Sequence, residues 1–322
     1  MHILVTNDDG PPCSESSPYV HCLVRQLQKA GHTVSVCLPH TQRSWIGKAY
    51  MVGQTLKPLY YRPGKESHGD LSEGSLHKRP SPTSDVEEWI LIDGTPASCA
   101  QIGLYHFFQD KGPVDLVVSG PNYGRNSTAV YALSSGTIGA AMEAAACRKK
   151  SIALSFALFS RNHDPLVIEA ACRHGVKVIE ALYKQWPTDG SVDLYSVNVP
   201  LIEEVEKRKT LFTEMLQNKW GDVCCFEEVE DETGDAVTEE SHIREGPDGE
   251  ACRNGNGDAT RTGHLHRHFK WALPLADVRR SVEESEPGND GWTVKEGNTS
   301  VTPLRASFAL GEGALSRKEL AL

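Results

Sequence analysis

Two adjacent carboxylates near the start of the chain are the strongest chemical signal in the sequence. Asp8 and Asp9 follow an apolar run, Ile3 to Val5, that predicts a buried β-strand. In open α/β sheets, ligands bind beyond the carboxyl ends of the strands. Neighbouring carboxylates repel each other unless a cation lies between them, and their oxygens suit Mg²⁺, Mn²⁺ or Ca²⁺. Because such a pair also occurs in surface turns, these residues alone leave both interpretations open.

A second candidate site lies at the start of a helix that the sequence predicts over 136–148. Ser135, Gly136 and Thr137 place hydroxyl and backbone N–H groups at the helix N-terminus, an arrangement that binds phosphate. Asn126 can add a side-chain amide donor. Ser135 could also act only as a helix cap, and the two roles are compatible because a cap leaves other amides free.

Strand and helix patterns alternate along the first 199 residues, which predicts an α/β fold with a mostly parallel sheet covered by helices. Thr95 and Pro96 are typical of the cap and first position of a helix, although Gly94 and Thr95 could instead line a pocket. The predicted strands are 2–6, 33–38, 89–92, 115–119, 151–155 and 193–199, and the predicted helices are 16–30, 96–108, 136–148 and 165–185.

Composition divides the chain into a core over 1–202 with a polar insert at about 62–87, an acidic and glycine-rich insert over 203–263, and a C-terminal β extension and tail over 264–322. We expect the second insert to be partly disordered. His264, His266 and His268 alternate in the extension and could bind Zn²⁺, but exposed strand residues are the favoured interpretation, since zinc ligands usually come from more than one segment.

The formal net charge of −10 is concentrated in residues 226–250, which hold eleven acidic residues and one basic residue. The remainder is formally neutral, so a bound cation would let it accept an anionic substrate. No basic stripe suggests a nucleic-acid duplex as partner. No apolar run is long enough to predict a membrane-spanning helix, and nine cysteines without a C-x-x-C motif predict reduced thiols, so we expect a cytoplasmic protein.

Four segments that follow the N-terminal NDDG carry a family resemblance. They read PHTQRSWIGKAYM (39–51), DGTPASCA (93–100), DLVVSGPNYGRN (115–126) and LSSGTIGAAMEAAA (133–146). In this order they resemble the SurE family of metal-dependent nucleotidases and phosphatases, with spacings like those of a fungal-type member. The segment Gly297–Leu304 is similar to the family's C-terminal motif. The resemblance implies a Rossmann-like three-layer sandwich with a C-terminal β-hairpin extension.

The resemblance also implies the ligands and the reaction. Asp8, Asp9, Ser44 and Asn122 match the family's ligands for one divalent metal cation, with Asp8 and Asp9 also catalytic. The implied enzyme is a phosphoric monoester hydrolase that acts on nucleoside monophosphates, as a 5′/3′-nucleotidase, and on other small phosphate esters, as an acid phosphatase does. The family's C-terminal hairpin reaches a partner subunit, which implies a homodimer or a higher homo-oligomer.

Two departures from the family pattern support an alternative function. Ser134 stands where bacterial members often have His, which leaves the general acid unidentified, and Asn298 replaces an aromatic residue. A nucleotide-binding or sensing protein with weak or lost turnover is therefore the alternative. A dinucleotide oxidoreductase is disfavoured, because the first strand leads into NDDG and not into G-x-G-x-x-G.

Overall fold

A ten-stranded sheet forms the centre of the molecule. The structure is a computed structural model that describes residues 1–64, 74–83, 85–159, 164–222, 224–229 and 268–309. The strands are β1 (His2–Thr6), β2 (Thr33–Pro39), β3 (Pro58–Arg62), β4 (Ser75–His77), β5 (Trp89–Ile92), β6 (Leu116–Tyr123), β7 (Lys150–Leu158), β8 (Leu194–Leu201) and β9 (Thr210–Phe212), then β10 (Phe226–Val229) and β11 (His268–Trp271), which form a separate antiparallel pair, and β12 (Thr299–Leu304).

The strand order across the main sheet is β4-β3-β5-β2-β1-β6-β7-β8-β12-β9. Every neighbouring pair from β5 to β8 is parallel, whereas β3 and β4 join antiparallel at one side and β12 runs antiparallel to β8 at the other. The prediction of a mostly parallel α/β sheet is therefore confirmed.

Helices cover both faces of the sheet. They are α1 (Val20–Lys29), α2 (Pro96–His106), α3 (Ala129–Ser134), α4 (Gly136–Ala146), α5 (Pro165–Lys184), α6 (Leu275–Glu283) and α7 (Asp290–Lys295). Ile3 and Val5 of β1 belong to the same apolar cluster as α1 and α5, while Leu4 packs with Cys99 of α2 on the opposite face. Because β1 is buried on both sides, its sequence is a continuous apolar run.

Local signals explain some helix ends, and tertiary contacts explain others. The Thr95 hydroxyl accepts a hydrogen bond of 3.1 Å from the backbone N–H of Ser98, so Thr95 caps α2. Of the two predicted roles, helix cap and pocket lining, the structure shows the cap. Helix α1 begins at Val20, four residues later than predicted. The turn before Val20 does not join the helix, because the Ser17 hydroxyl donates a hydrogen bond of 2.9 Å to the Gly10 carbonyl oxygen.

Strand β6 extends past the predicted end at residue 119 and includes Asn122. After an irregularity that contains the cis peptide Gly120–Pro121, pairing with β7 resumes at Asn122 opposite Ser155. Gly120 has φ +128° and lies so close to β7 that an added Cβ would be 2.0 Å from the Leu154 carbonyl oxygen. Only glycine fits this close backbone approach.

The structure also refines the two later regions and the polar insert. The polar insert contains β4, which pairs with β3, and the acidic insert contributes β9 and β10. The C-terminal region contains α6 and α7 besides its strands, and β12 enters the main sheet between β8 and β9. Much of the insert 203–263 lies outside the described ranges, so its partial disorder stays a prediction. No helix in the described part of the chain is long and apolar enough to cross a membrane.

Candidate functional site

Asp8 and Asp9 lie directly beyond the carboxyl end of β1, and both are almost fully buried at 2% and 1% exposure. A closed turn holds them there. The Asn7 side chain donates to the Gly10 carbonyl at 2.8 Å and accepts from the Gly10 N–H at 3.0 Å. Gly10 has φ +88°, a conformation that favours glycine. The NDDG motif therefore fixes the backbone from which the two carboxylates project.

Helix α4 packs its first turn directly on Asp8. The Thr137 hydroxyl donates a hydrogen bond of 2.6 Å to Asp8 Oδ1. An added Cβ on Gly136 would lie 2.7 Å from Asp8 Cβ, which is too close for any side chain. The backbone N–H of Arg43 donates to the Asp8 carbonyl at 2.7 Å, so the loop that carries Ser44 also reaches this point.

Asp9 connects β1 to the neighbouring strand β6. Its Oδ2 accepts a hydrogen bond of 2.7 Å from the backbone N–H of Tyr123. The preceding residue, Asn122, donates its side-chain N–H to the Gly124 carbonyl at 2.7 Å. This bond assigns the amide orientation and leaves the Asn122 side-chain oxygen as the atom suited to a cation.

A cavity of about 360 Å³ opens beside these strand ends, within the range that small ligands occupy. It brings together the predicted site residues Asp8, Ser44, Asn122, Asn126 and Ser135. The other predicted residues, Asp9, Gly136 and Thr137, do not line it and lie behind its wall.

The predicted phosphate-binding segment therefore divides into two parts. Ser135 lines the cavity, and its side chain caps α4 by accepting from the Ile138 N–H at 3.1 Å. The remaining first-turn amides of a helix have no intrahelical partner and favour an anion. The Thr137 hydroxyl, which we had expected to contact substrate, is instead bonded to Asp8.

Asn126 is held rigidly at the cavity wall. Its side-chain N–H donates to the Ser155 hydroxyl at 2.8 Å, and its backbone N–H donates to the Asn198 side chain at 2.8 Å. The two partners belong to β7 and β8. The loop after β6 is thus fixed to the next two strands, which limits its movement around a ligand.

The donor set fits a hard divalent cation. Oxygens of the carboxylate Asp8 and of the neutral residues Ser44 and Asn122 come from three chain segments that line one cavity, and the second carboxylate, Asp9, is next to Asp8 in the chain. In the described ranges no cluster of three or more His, Cys, Asp or Glu side chains could hold a metal ion. A cation at this place would therefore need the neutral oxygens as well as the carboxylates.

The sequence profile described as "Survival protein SurE" matches residues 3–222, about two thirds of the chain. The chain belongs to the SurE family.

Individual relatives agree with this membership. The chain is 34% identical to "5′-nucleotidase SurE" of Ruegeria pomeroyi, over 96% of this chain and 95% of that protein. It is 33% identical to "Probable tubulin--tyrosine ligase PBY1" of Saccharomyces cerevisiae, over 99% of this chain but only 43% of the length of that protein. The crystal structure of the SurE protein from Aquifex aeolicus has the same fold, with a TM-score of 0.59, 22% identity and coverage of 96% and 95% of the two chains.

The sequence did not reveal several residues that line the SurE-family cavity in this chain. They are Trp45, Arg125, Tyr131 and Arg279. Trp45 and Arg125 lie inside the family motifs but have no individual sequence signal. Arg279 belongs to α6, which lies far from the motifs in sequence, so only the tertiary structure could reveal it.

A pair of tryptophans joins the cavity wall to the β10–β11 pair. The Trp45 and Trp271 rings lie 5.7 Å apart, and Trp271 packs edge-on against Phe226 at 5.0 Å. His268 begins β11, whereas His264 and His266 lie outside the described residues. Neither the favoured interpretation of the three histidines as exposed strand residues nor the zinc alternative is therefore tested.

Proposed function

We propose that this SurE-family chain is a divalent-metal-dependent phosphomonoesterase that hydrolyses nucleoside monophosphates and other small phosphate esters. One observation carries the proposal. Asp8, Ser44, Asn122 and Ser135 come from four segments and line the same cavity. Oxygen ligands for a cation therefore adjoin a capped helix N-terminus that favours an anion.

Electrostatics supports the need for a cation. A phosphate ester is anionic, and the Asp8 and Asp9 carboxylates, which are almost fully buried and so little screened by solvent, would repel it. We assign Mg²⁺ or Mn²⁺ to this place, held by Asp8, Asp9, Ser44 and Asn122. When bound, such a cation polarises the phosphoryl group and lowers the pKa of water.

The chain's own groups then have distinct roles. Asp8 is the carboxylate that lines the cavity, so we assign it the acceptance of a proton from the attacking water. Ser135 faces the phosphoryl oxygens at the N-terminus of α4, and the positive end of the helix dipole stabilises the charge that develops on them. Asn126, which also lines the cavity, orients the substrate. Ser134, whose hydroxyl lies 3.5 Å from the Val130 carbonyl, offers no acid for the leaving group.

The test is release of inorganic phosphate from a panel of nucleoside monophosphates and a generic aryl phosphate, with Mg²⁺ or Mn²⁺ present. We expect turnover that exhaustive chelation abolishes and added metal restores. Activity that survives chelation would refute the metal-dependent mechanism. Tight nucleotide binding without phosphate release, at any metal or pH, would favour the sensing protein instead.

Self-association remains a prediction from the family resemblance. We propose a homodimer or larger homo-oligomer, and sedimentation of the full chain tests it. A monomer at all concentrations would contradict it.

A further inference from the structure

The cavity has a second polar region that the proposed reaction does not use, formed by Arg125 with Tyr131 and Arg279. Arg125 follows β6 but extends toward the end of β7. One of its guanidinium N–H groups donates to the Leu158 carbonyl at 3.0 Å, and the guanidinium lies over the Phe159 ring at 5.6 Å. These two contacts fix the direction of the side chain.

The charge of Arg125 has no acidic counterpart in the described part of the chain, where Arg125 takes part in no ion pair with a carboxylate. A guanidinium has five N–H donors, and the Leu158 carbonyl uses one of them. Burial, opposed by Tyr131 and reinforced by the like charge of Arg279, lowers the pKa of Arg125. An anionic ligand would compensate this charge.

A carboxylate also lines the cavity, but it already has a cation. Glu283 forms an ion pair of 3.0 Å with Lys295, and both residues line the cavity. Tyr131 contributes a phenol whose pKa is raised by burial, so the phenol stays protonated and can donate. The region therefore offers the Arg125 guanidinium and the Tyr131 hydroxyl to a ligand, next to the positive charge of Arg279.

The position of this region relative to the metal ligands determines what it can bind. Arg125 is anchored at the end of β7, whereas Asp8 follows β1, and β6 lies between these two strands. Neighbouring strands are about 4.8 Å apart, so the axes of β1 and β7 are separated by roughly 10 Å. A single phosphoryl group cannot span that distance, but a small molecule with two anionic groups can.

We propose that Arg125, with Tyr131 and Arg279, forms a subsite for a second anionic group, so that the preferred substrates are phosphate monoesters that carry an additional phosphate or carboxylate. This inference rests on the proposed phosphatase function and specifies its substrate class. The guanidinium fork matches both kinds of anion, since each presents two oxygens to parallel N–H donors.

Two matched pairs of substrates test the subsite and distinguish the two anions. Adenosine 3′,5′-bisphosphate is compared with adenosine 5′-monophosphate, and 3-phosphoglycerate with glycerol 3-phosphate, in kcat/KM with Mg²⁺ present. Wild-type protein should prefer the doubly anionic member of at least one pair. In Arg125→Met, which keeps much of the contact with Phe159, that preference should fall about tenfold or more, as for loss of a charge-assisted hydrogen bond. Arg125→Lys should recover part of it.

The control is Arg173→Met, which removes an arginine on α5 that pairs with Glu206 outside the cavity and should leave the preference unchanged. Equal use of both members of each pair by wild-type protein would overturn the proposal, even if Arg125→Met failed to fold. An equal loss on all four substrates in Arg125→Met would assign the arginine to the scissile phosphate instead.

A binding measurement separates this inference from the proposed function. If no ester releases phosphate, the phosphatase proposal fails, and calorimetric titration of 3-phosphoglycerate against glycerol 3-phosphate still tests the subsite. Tighter binding of 3-phosphoglycerate, lost in Arg125→Met, supports the subsite without turnover. Equal affinities for the two ligands overturn it.

Discussion

The Thr137 hydroxyl donates a 2.6 Å hydrogen bond to Asp8 Oδ1 and so connects the first turn of α4 to the end of β1. Both side chains are almost fully buried, at 0% and 2% exposure. Thr137 thus orients a proposed metal ligand, which is a different role from the substrate contact that the helix N-terminus had suggested.

Thr137→Val removes this hydrogen bond and keeps the shape of the side chain. A lost hydrogen bond to a charged group costs about 1.5–3 kcal/mol, so affinity for Mn²⁺ should fall roughly ten- to hundredfold. Calorimetric titration of the metal measures this change, and Thr137→Ser is the matched control that keeps the hydroxyl. Unchanged metal affinity together with weaker inhibition by inorganic phosphate would show that Thr137 contacts the substrate and does not orient the metal ligand Asp8.

Asp8→Asn and Asp9→Asn should each remove nearly all phosphate release, because each neutralises a proposed metal ligand. Without added metal, both variants should be at least as stable as wild type, since two adjacent buried carboxylates repel each other. Phosphate release and thermal unfolding in chelator measure the two effects. Asp189→Asn, at an exposed turn, is the control. Full kcat in either site variant would rule out the proposed metal centre.

Ser44→Ala and Asn122→Ala should weaken metal binding less than the aspartate variants do, because each removes a neutral ligand. Asn122→Ala should have the additional effect of releasing the Gly124 carbonyl from its 2.7 Å bond. Metal titrations of both variants at one pH provide the comparison. Curves that coincide with that of wild type would exclude both residues as ligands.

Gly136→Ala should impair the site through packing alone. The added Cβ would lie 2.7 Å from Asp8 Cβ and 2.9 Å from Asp8 Oδ2, so Asp8 or α4 must shift. We expect lower stability in thermal unfolding and a loss of phosphate release. Gly175→Ala is the control, because its added Cβ meets only Leu154 at 3.4 Å and alanine favours the helix by about 0.5–1 kcal/mol. A fully active Gly136→Ala protein would contradict the observed contact.

His174 should make stability depend on pH. Its side chain is 7% exposed and forms a hydrogen bond of 3.0 Å with the Thr299 hydroxyl. Burial and the positive charge of Lys177 lower the pKa of His174 below the ordinary 6.5, and the negative charge of Glu206 offsets part of this effect. Below pH 6.5 the unfolded chain binds the proton first, so the free energy of unfolding should fall as the pH decreases from 6.5 toward the folded pKa. Urea unfolding across this window in wild type and His174→Gln measures the slope.

The variant should lose stability less steeply with pH than wild type. His106→Gln, at an exposed position at the end of α2, should retain the wild-type slope. Equal slopes in wild type and His174→Gln would exclude His174 as the source.

Local sequence signals predicted β1 and β5 to the residue and the start of α2 at Pro96, because a buried apolar run and a Thr-Pro cap act over a few residues. The start of α1 depends on the hydrogen-bonded turn between Gly10 and Ser17, and the extension of β6 through Asn122 depends on its pairing with the distant strand β7. The motif residues that line the cavity were foreseen through their family resemblance. Arg125 was not foreseen, because its position in the cavity depends on a hydrogen bond to the Leu158 carbonyl at the end of β7, which the sequence does not reveal.

The β10–β11 pair has a consequence for what the fold can carry. Val229 and His268 are directly opposite each other in this antiparallel pair. Their Cα atoms are therefore separated by only about 5 Å, and a two-residue Asn-Gly hairpin would be enough to reconnect them. Trp271, at the opposite end of the same pair, packs on Trp45 at the cavity wall, so a peptide grafted between Val229 and His268 would leave the pair at the end away from that contact. A peptide inserted between β10 and β11 can therefore vary in length without any change to β1, the strand that carries Asp8 and Asp9.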